Sequence, residues 1–192
     1  MADTLKDWVG TFWRILISPT PRTFIEEAEK AKDKITSAIG WTVFIALYAY
    51  LLPLIKGPTF NFTLLIYSLL VFPLVIVLVP SATHFMLQRL FHQKKYIYDK
   101  ILYIYTAILV LFQLIINPVT YFVPQNIALV LNYFFITYQL VLFVIATKSI
   151  ANIKYWQATV TTICSITAGA VIFICALPLI TSIMGGVSQT MR

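Results

Sequence analysis

Five runs of about 20 residues without a charged side chain make up most of this chain. The first run, residues 35–55, extends about 31 Å as an α-helix, which matches the hydrocarbon thickness of a bilayer. Each run is therefore predicted to cross a membrane, so the fold class is an all-α, multi-pass bundle of five transmembrane helices. The predicted spans are residues 35–55, 60–80, 101–122, 127–146 and 157–181.

The second span is predicted to be longer than its apolar run. It contains Pro73, which membrane helices tolerate where neighbouring helices satisfy the freed carbonyl. We expect its helix to continue past Pro80 to about His92, and residues 89–100 to form a basic loop. Shorter breaks are expected at Lys56-Gly57-Pro58 and at Pro124-Gln125-Asn126, where proline and glycine interrupt the apolar pattern.

The composition leaves no room for a separate soluble domain. Hydrophobic residues make up 60% of the 192 residues and charged residues 11%, against roughly 45–50% and about 25% in soluble domains. We divide the chain into three parts. Residues 1–34 are a cytoplasmic segment with an interfacial helix, a proline elbow and a charged helix. Residues 35–183 are the transmembrane domain, and residues 184–192 are a short non-cytoplasmic tail.

The first residues have the pattern of an amphipathic helix that lies in the plane of a membrane. Apolar residues recur every three or four positions, and charged residues occupy the opposite face. Tryptophan on such a face is typical of the membrane interface. The alternative, a helix packed on a soluble domain, has no such domain to pack on. The apolar face comprises Leu5, Trp8, Val9, Phe12, Trp13 and Leu16.

Two prolines then predict an elbow. Pro19 and Pro21 remove two backbone donors and disfavour helical geometry at Ser18 and Thr20, so the first helix should end near Ile17. The next helix can begin with Thr20 as its cap and Pro21 as its first residue, or with the capping-box pair Thr23 and Glu26. Its apolar face is predicted to comprise Phe24, Ala28, Ala31 and Ile35, beside ion pairs of Glu26 with Lys30, Glu27 with Lys30 and Glu29 with Lys32.

The distribution of lysine and arginine predicts the orientation. With five spans, twelve of the 14 basic residues fall on the side of the N-terminus, and only Lys56 and Arg192 fall on the other. Positive loops stay inside, so the N-terminus is predicted to be cytoplasmic and the C-terminus non-cytoplasmic, in the cell membrane or, in a eukaryote, an endomembrane. We attribute the net charge of +7 to topology and to contact with anionic lipid. Nucleic acid is not expected as a partner.

The spans lack the groups that chemistry needs. They contain no acidic or basic residue, which argues against proton-coupled carriers. His84 and His92 are eight residues apart, about 12 Å on one helix, so they cannot share a metal ion. We expect hydrogen-bonded helix-end histidines, no catalytic residue, no cofactor and no metal, and therefore no enzyme. The polar residues expected to bond between helices are Gln113, Asn117, Asn132 and Gln139.

Small residues form a stripe on the last span. Thr161, Ser165 and Gly169 recur every four residues, so they share one helix face. Small side chains let two helix backbones approach closely, and this face is predicted to pack against a neighbour. That neighbour is either another helix of the bundle or a second copy in a homo-oligomer.

Three segments resemble the Yip family, membrane proteins named for their interaction with Ypt/Rab GTPases. They are WRILISPTPRTFIEEAE (13–29), THFMLQRLFHQKKYIYDKILYIYTAIL (83–109) and TKSIANIKYWQATVTT (147–162). The resemblance implies a five-helix bundle with the N-terminus inside and a non-enzymatic role. Eukaryotic members bind prenylated Rab GTPases through a longer N-terminal region, so the short segment here resembles the prokaryotic members.

Three functions are consistent with these features. The first is a Yip-type scaffold or adaptor that recruits other membrane proteins or shapes the bilayer. Its working residues would be those of the interfacial helix and elbow, namely Trp8, Phe12, Trp13, Ser18, Pro19, Pro21 and Phe24. The second is an accessory subunit of a larger membrane complex. The third is a channel or carrier for a small solute that uses the asparagine and glutamine side chains.

Overall fold

A computed structural model describes residues 2–52, 62–93 and 97–190, and in these residues the protein is all-α. Four of the helices contain segments long and apolar enough to cross a membrane: Lys34–Leu51, Pro73–Leu90, Tyr98–Val119 and Gln125–Ala151. The described helices are α1 (Ala2–Ile17), α2 (Pro21–Glu29), α3 (Ala31–Leu51), α4 (Phe62–Leu90), α5 (Tyr98–Phe122), α6 (Gln125–Ala151) and α7 (Tyr155–Thr190).

Some predicted features lie outside the described residues. The break at 56–58 and the middle of the basic loop, Lys94 and Lys95, belong to this group. Helix α7 contains the fifth predicted span and continues into the predicted tail, but the side chains of residues 176–190 are not among those described. The side chain of Leu5 is outside them as well.

The prolines end α1 where the sequence predicts. Helix α1 stops at Ile17, and α2 begins with Pro21 as its first residue. Thr20, rather than Thr23, is the cap, because its hydroxyl accepts the backbone N–H of Thr23 at 3.3 Å. The charged helix is interrupted at Lys30, so it does not run without a break into the first span.

Helices α4 and α6 are each followed by a residue with a left-handed backbone conformation. Asn152 (φ 52°) follows α6, and the N–H of Ile153 then bonds the carbonyl of Lys148 at 3.3 Å, which is the bonding pattern of a Schellman cap. His92 (φ 50°) follows α4, which passes through Pro73 and Pro80 to Leu90 as expected. Asparagine tolerates this conformation better than most residues.

Helix α5 is the centre of the bundle. In its segment Tyr98–Val119, 67% of the residues are buried, against 17% in Gln125–Ala151 of α6. Helices α3, α4 and α6 pack around α5, and α7 packs against α4 and α6. The helices alternate in direction, so Lys34, Arg89, Lys100 and Lys148 lie at one end, which we call the basic end.

Hydroxyl groups form a buried network that links three helices. The Tyr105 hydroxyl on α5 lies 2.6 Å from the Thr147 hydroxyl on α6, which lies 3.4 Å from that of Thr162 on α7. All three residues are buried, and Phe143 packs on the Tyr105 ring with centroids 4.4 Å apart. Satisfied polar groups of this kind fix the register of neighbouring helices. Asparagine and glutamine side chains were predicted in this role, and Tyr105 was not.

The small-residue stripe of α7 lies against α4. Thr161, Ser165 and Gly169 are buried, and the Ser165 hydroxyl lies 3.9 Å from the Met86 sulfur of α4. A Cβ atom added at Gly169 would lie 3.1 Å from Cγ2 of Val79. The absence of a side chain at Gly169 therefore lets the backbones of α4 and α7 approach closely. The neighbour of this face is therefore a helix of the same bundle.

Substituting Gly169→Leu should separate α4 from α7. The added side chain has no space beside Val79, and overpacking of this kind costs about 1–3 kcal/mol. Thermal unfolding in detergent measures the effect. Ala170→Leu is the matched control, because Ala170 is exposed and the same enlargement there should change stability by less than about 0.5 kcal/mol. Equal melting temperatures for the two variants would contradict the close α4–α7 contact.

Candidate functional site: the N-terminal hairpin

Helices α1 and α2 form an antiparallel pair, which we call the N-terminal hairpin (residues 2–30). The Thr11 hydroxyl of α1 donates to Glu27 Oε2 of α2 at 2.7 Å. Nearer the elbow, the Thr23 hydroxyl donates to the Ser18 carbonyl at 2.8 Å. The two helices therefore lie side by side, with the proline elbow at the tip of the hairpin.

The carboxylate of Glu27 is fully buried inside the hairpin. Its Oε2 accepts from the Thr11 hydroxyl and from Lys30 Nζ at 2.5 Å, and its Oε1 accepts from Arg14 Nη1 at 3.3 Å. A buried carboxylate is tolerated only where donors replace its lost water. Glu27 thus links α2 to α1 through two side chains, Thr11 and Arg14.

Further ion pairs extend from Glu27 toward the elbow. Arg14 Nη1 lies 3.6 Å from Glu26 Oε2, and Arg22 Nε lies 2.7 Å from Glu26 Oε1. We call Arg14, Arg22, Glu26, Glu27 and Lys30 the charged seam. It contains three cations and two carboxylates, so all but one positive charge is compensated within the hairpin.

Aromatic side chains dock α1 on the bundle. Trp8 is fully buried, and its ring centroid lies 5.7 Å from that of Trp41 on α3 and 5.2 Å from that of Tyr103 on α5. Its indole Nε1 donates to the Ser37 hydroxyl at 2.5 Å. Phe12 packs beside Trp8 at 5.3 Å and is also buried. Tilted aromatic contacts of this geometry favour one fixed position of α1.

Polar contacts fix both ends of the hairpin. Asp7 pairs with Lys34, and Glu29 pairs with Lys100, both at the basic end. At the tip, the Tyr138 hydroxyl of α6 donates to the Leu16 carbonyl at 2.9 Å. Tyr138 lies thirteen residues before Ala151, the last residue of α6, which corresponds to about 20 Å of helix. The hairpin therefore lies alongside the bundle over about half the length of α6, and not across its end.

The ion pair at the start of α1 predicts a pH dependence. The hydrogen bond from Lys34 and its positive charge lower the pKa of Asp7 below its usual value of 3.8. The ionised form is the one that pairs, so the contact is complete above the ordinary carboxyl pKa and is lost as pH falls through the lowered value. Carboxyl NMR titration of Lys34→Gln should give a higher Asp7 pKa than the wild type. An unchanged pKa would contradict the pairing.

Helix α1 has three distinct sides. At about 100° per residue, Trp8, Phe12 and Ile15 form the side that faces the bundle. One neighbouring side is apolar and exposed, with Val9 56%, Trp13 65% and Ile17 58% accessible. The other neighbouring side carries Asp7, Gly10 and Arg14, which are exposed too. We call Val9, Trp13 and Ile17 the outer stripe.

Only part of the predicted apolar face of α1 therefore packs on the bundle, and the rest is exposed. Trp8 and Phe12 were expected to meet the membrane interface, but they are buried against α3 and α5, because those helices offer aromatic partners. Trp13 is exposed, Phe24 is buried, and Ser18, Pro19 and Pro21 form the elbow. Of the seven residues predicted for the interfacial helix and elbow, six are thus buried or lie in the elbow, and Trp13 is exposed.

The predicted ion pairs of α2 were partly right. Glu27 pairs with Lys30 as expected, but Glu26 pairs with Arg14 and Arg22, and Glu29 pairs with Lys100 of α5. Thr11 and Tyr138 were not predicted to take part, and Glu27 was predicted to pair with Lys30 but not to be buried. A signal for Glu27 existed, since it lies three residues after Phe24 and beside Ala28, on the apolar face of α2. An acid on an apolar face requires buried partners.

The histidines lie apart from the hairpin. His84 is on α4, with its ring centroid 5.9 Å from that of Tyr98, and His92 lies beyond the end of α4. Among residues 2–52, 62–93 and 97–190, no three histidine, cysteine, aspartate or glutamate side chains are placed to hold a metal ion.

Comparison of the chain with protein-family models, with curated proteins and with solved structures gives no match.

Proposed function

We propose that this protein is a non-enzymatic membrane scaffold of the Yip type that shapes the bilayer with its N-terminal hairpin. In this proposal five helices cross the membrane, α7 providing the fifth span, with the N-terminus cytoplasmic and the basic end at the cytoplasmic leaflet. The outer stripe of α1 contacts the lipid of that leaflet. The proposal rests on one observation. The hairpin lies against the half of the bundle nearest the basic end, and its outer stripe is exposed.

The position of the hairpin makes the protein wider in one leaflet than in the other. Helices α1 and α2 add to the cross-section over about 20 Å from the basic end, because the Leu16 contact with Tyr138 is the deepest polar contact of α1. A helix is about 10–12 Å across with its side chains. Such one-sided insertion favours curved bilayers.

The docking contacts are essential to this function, because a helix that can move away does not impose a shape. Trp8 attaches the hairpin to α3 and Tyr138 attaches it to α6, while Glu27 holds α1 and α2 together within it. The outer stripe is then held on a rigid support. An unattached amphipathic helix would instead adapt to the membrane it meets.

The test is the size of liposomes that contain the protein. Reconstituted wild type should give smaller vesicles by cryo-electron microscopy than lipid alone, in proportion to protein density. The double variant Val9→Ser/Trp13→Ser should lose the effect while the protein stays folded, because both side chains are exposed. Val130→Ser/Phe134→Ser, two exposed positions of α6, is the matched control and should retain it. Equal vesicle sizes for wild type and the stripe variant would contradict the proposal.

The exposed face of α6 supports one alternative, an accessory subunit of a larger complex. Val130, Tyr133 and Phe134 are exposed, and aromatic residues are frequent at subunit interfaces. Purification from native membranes in mild detergent distinguishes the two functions. A stoichiometric foreign subunit that is lost in Val130→Ser/Phe134→Ser would favour the complex, and a free protein or homo-oligomer would reject it.

A further inference from the structure

An apolar groove runs between α6 and α7 from the basic end. Its volume is about 490 Å³, within the range of small-molecule sites. On α6 it extends from Thr137 to Ile145, and on α7 from Tyr155 to Ile163. Each segment contains nine residues, which extend about 12 Å along the helix axis. The groove is therefore long and narrow, and it follows the helix axes.

The three threonine hydroxyls that line the groove have partners within the protein. Thr137 donates to the carbonyl of Tyr133 at 2.8 Å, and Thr159 donates to the carbonyl of Tyr155 at 3.0 Å. The Thr162 hydroxyl lies 3.4 Å from that of Thr147 in the buried network. Leu140, Val141, Val144, Ile145 and Ile163 make up most of the remaining lining, so along most of its length the groove favours a hydrocarbon chain over a polar solute.

A lysine stands at the mouth of the groove. Lys148 Nζ lies 4.9 Å from the centroid of the Tyr155 ring, and Tyr155 is one of the lining residues. The ring attracts the ammonium group and holds it over the opening. In the part of the chain that the structure describes, the ion pairs belong to the hairpin, and neither Lys148 nor the neighbouring Lys154 takes part in one. The charge at the mouth is thus available to an anion.

We propose that this groove binds one anionic phospholipid, with an acyl chain between α6 and α7 and the phosphate at Lys148. Basic sites between transmembrane helices at the cytoplasmic side bind such headgroups, and the apolar lining supplies contact for the chain. The site is separate from the outer stripe of α1, so it does not depend on bilayer shaping by the hairpin.

The experiment is native mass spectrometry of the purified full chain with phosphatidylglycerol or phosphatidylcholine of equal chain length. The wild type should retain one phosphatidylglycerol about fivefold more tightly than phosphatidylcholine, the factor expected from about 1 kcal/mol per lysine at an anionic surface. Lys148→Gln should bind both lipids equally. Inorganic phosphate should not compete, because the acyl chain provides the contact with the groove.

Filling the groove tests the position of the chain. Val141→Trp, inside the groove, should abolish retention of both lipids, whereas Val130→Trp, exposed on the same helix outside it, should bind as the wild type does. Lys148→Gln leaves the packing of the groove intact, so it decides the question if Val141→Trp fails to fold. Equal retention of the two lipids by the wild type, or competition by phosphate alone, would overturn the proposal.

Discussion

Replacing Trp8 with alanine should detach α1 from the bundle and lower the free energy of unfolding by about 3 kcal/mol or more. Trp8 is fully buried, and the substitution removes its contacts with Phe12, Trp41 and Tyr103 together with the hydrogen bond to Ser37. The cavity would lie between three helices, none of which can close it without moving the others. Unfolding by SDS titration in mixed micelles measures the loss.

Trp13→Ala is the matched control for this prediction. It removes the same side chain from the same helix, but Trp13 is 65% exposed, so stability should change by about 0.5 kcal/mol or less. A loss of similar size for the two variants would show that α1 does not have its inner side on α3 and α5. A stable Trp8→Ala protein would show the same.

Glu27→Ala should be the second most damaging substitution, lowering the free energy of unfolding by about 2–3 kcal/mol. It leaves Arg14 and Lys30 without their shared carboxylate and Thr11 without its acceptor. Breaking a buried pair costs up to about 3–5 kcal/mol where the remaining charge stays buried. We expect less here, since the side chains of Arg14 and Lys30 are 56% and 34% exposed and can regain water.

Glu26→Ala tests whether burial is the reason. Glu26 makes two ion pairs, with Arg14 and Arg22, but its side chain is 46% exposed. Exposed pairs contribute about 0–1 kcal/mol, so this variant should remain near wild-type stability. If Glu26→Ala is as unstable as Glu27→Ala, net charge rather than the buried carboxylate holds the hairpin together.

The helices and the elbow could be predicted from the sequence because their signals are local. Uncharged runs of bilayer length mark the spans, and Pro19 and Pro21 fix the end of α1 whatever surrounds them. The cap at Thr20 was one of two alternatives with equal local support. Only the structure, where the Thr20 hydroxyl accepts from Thr23, distinguishes them.

The location of α1 could not be predicted in the same way, because a periodic pattern shows that a face is apolar and not what covers it. Trp8 and Trp13 look equivalent in the sequence, yet one is buried among aromatic rings of α3 and α5 and the other is exposed. The partners of α1 are far along the chain: Tyr138 bonds Leu16 across 122 residues. No local rule supplies such a pairing.

The predicted spans contain no charged residue, but charged residues from another segment lie beside them. The hairpin brings Arg14, Glu26 and Glu27 alongside α5 and α6, although these residues come before the first span. The protein therefore has a compensated cluster of ionisable groups beside its apolar helices. Sequence order alone assigned these residues to a segment outside the bundle.

The most direct test of the account is the accessibility of two neighbouring positions of α1 in liposomes. Single spin labels are placed at Val9 or Gly10, after Cys164 and Cys175 have been replaced by serine. Val9 belongs to the outer stripe, and Gly10 lies on the charged side with open space around it. The account predicts that oxygen relaxes the Val9 label more strongly, and that a water-soluble nickel chelate relaxes the Gly10 label more strongly. Equal access of the nickel chelate to both labels would contradict it.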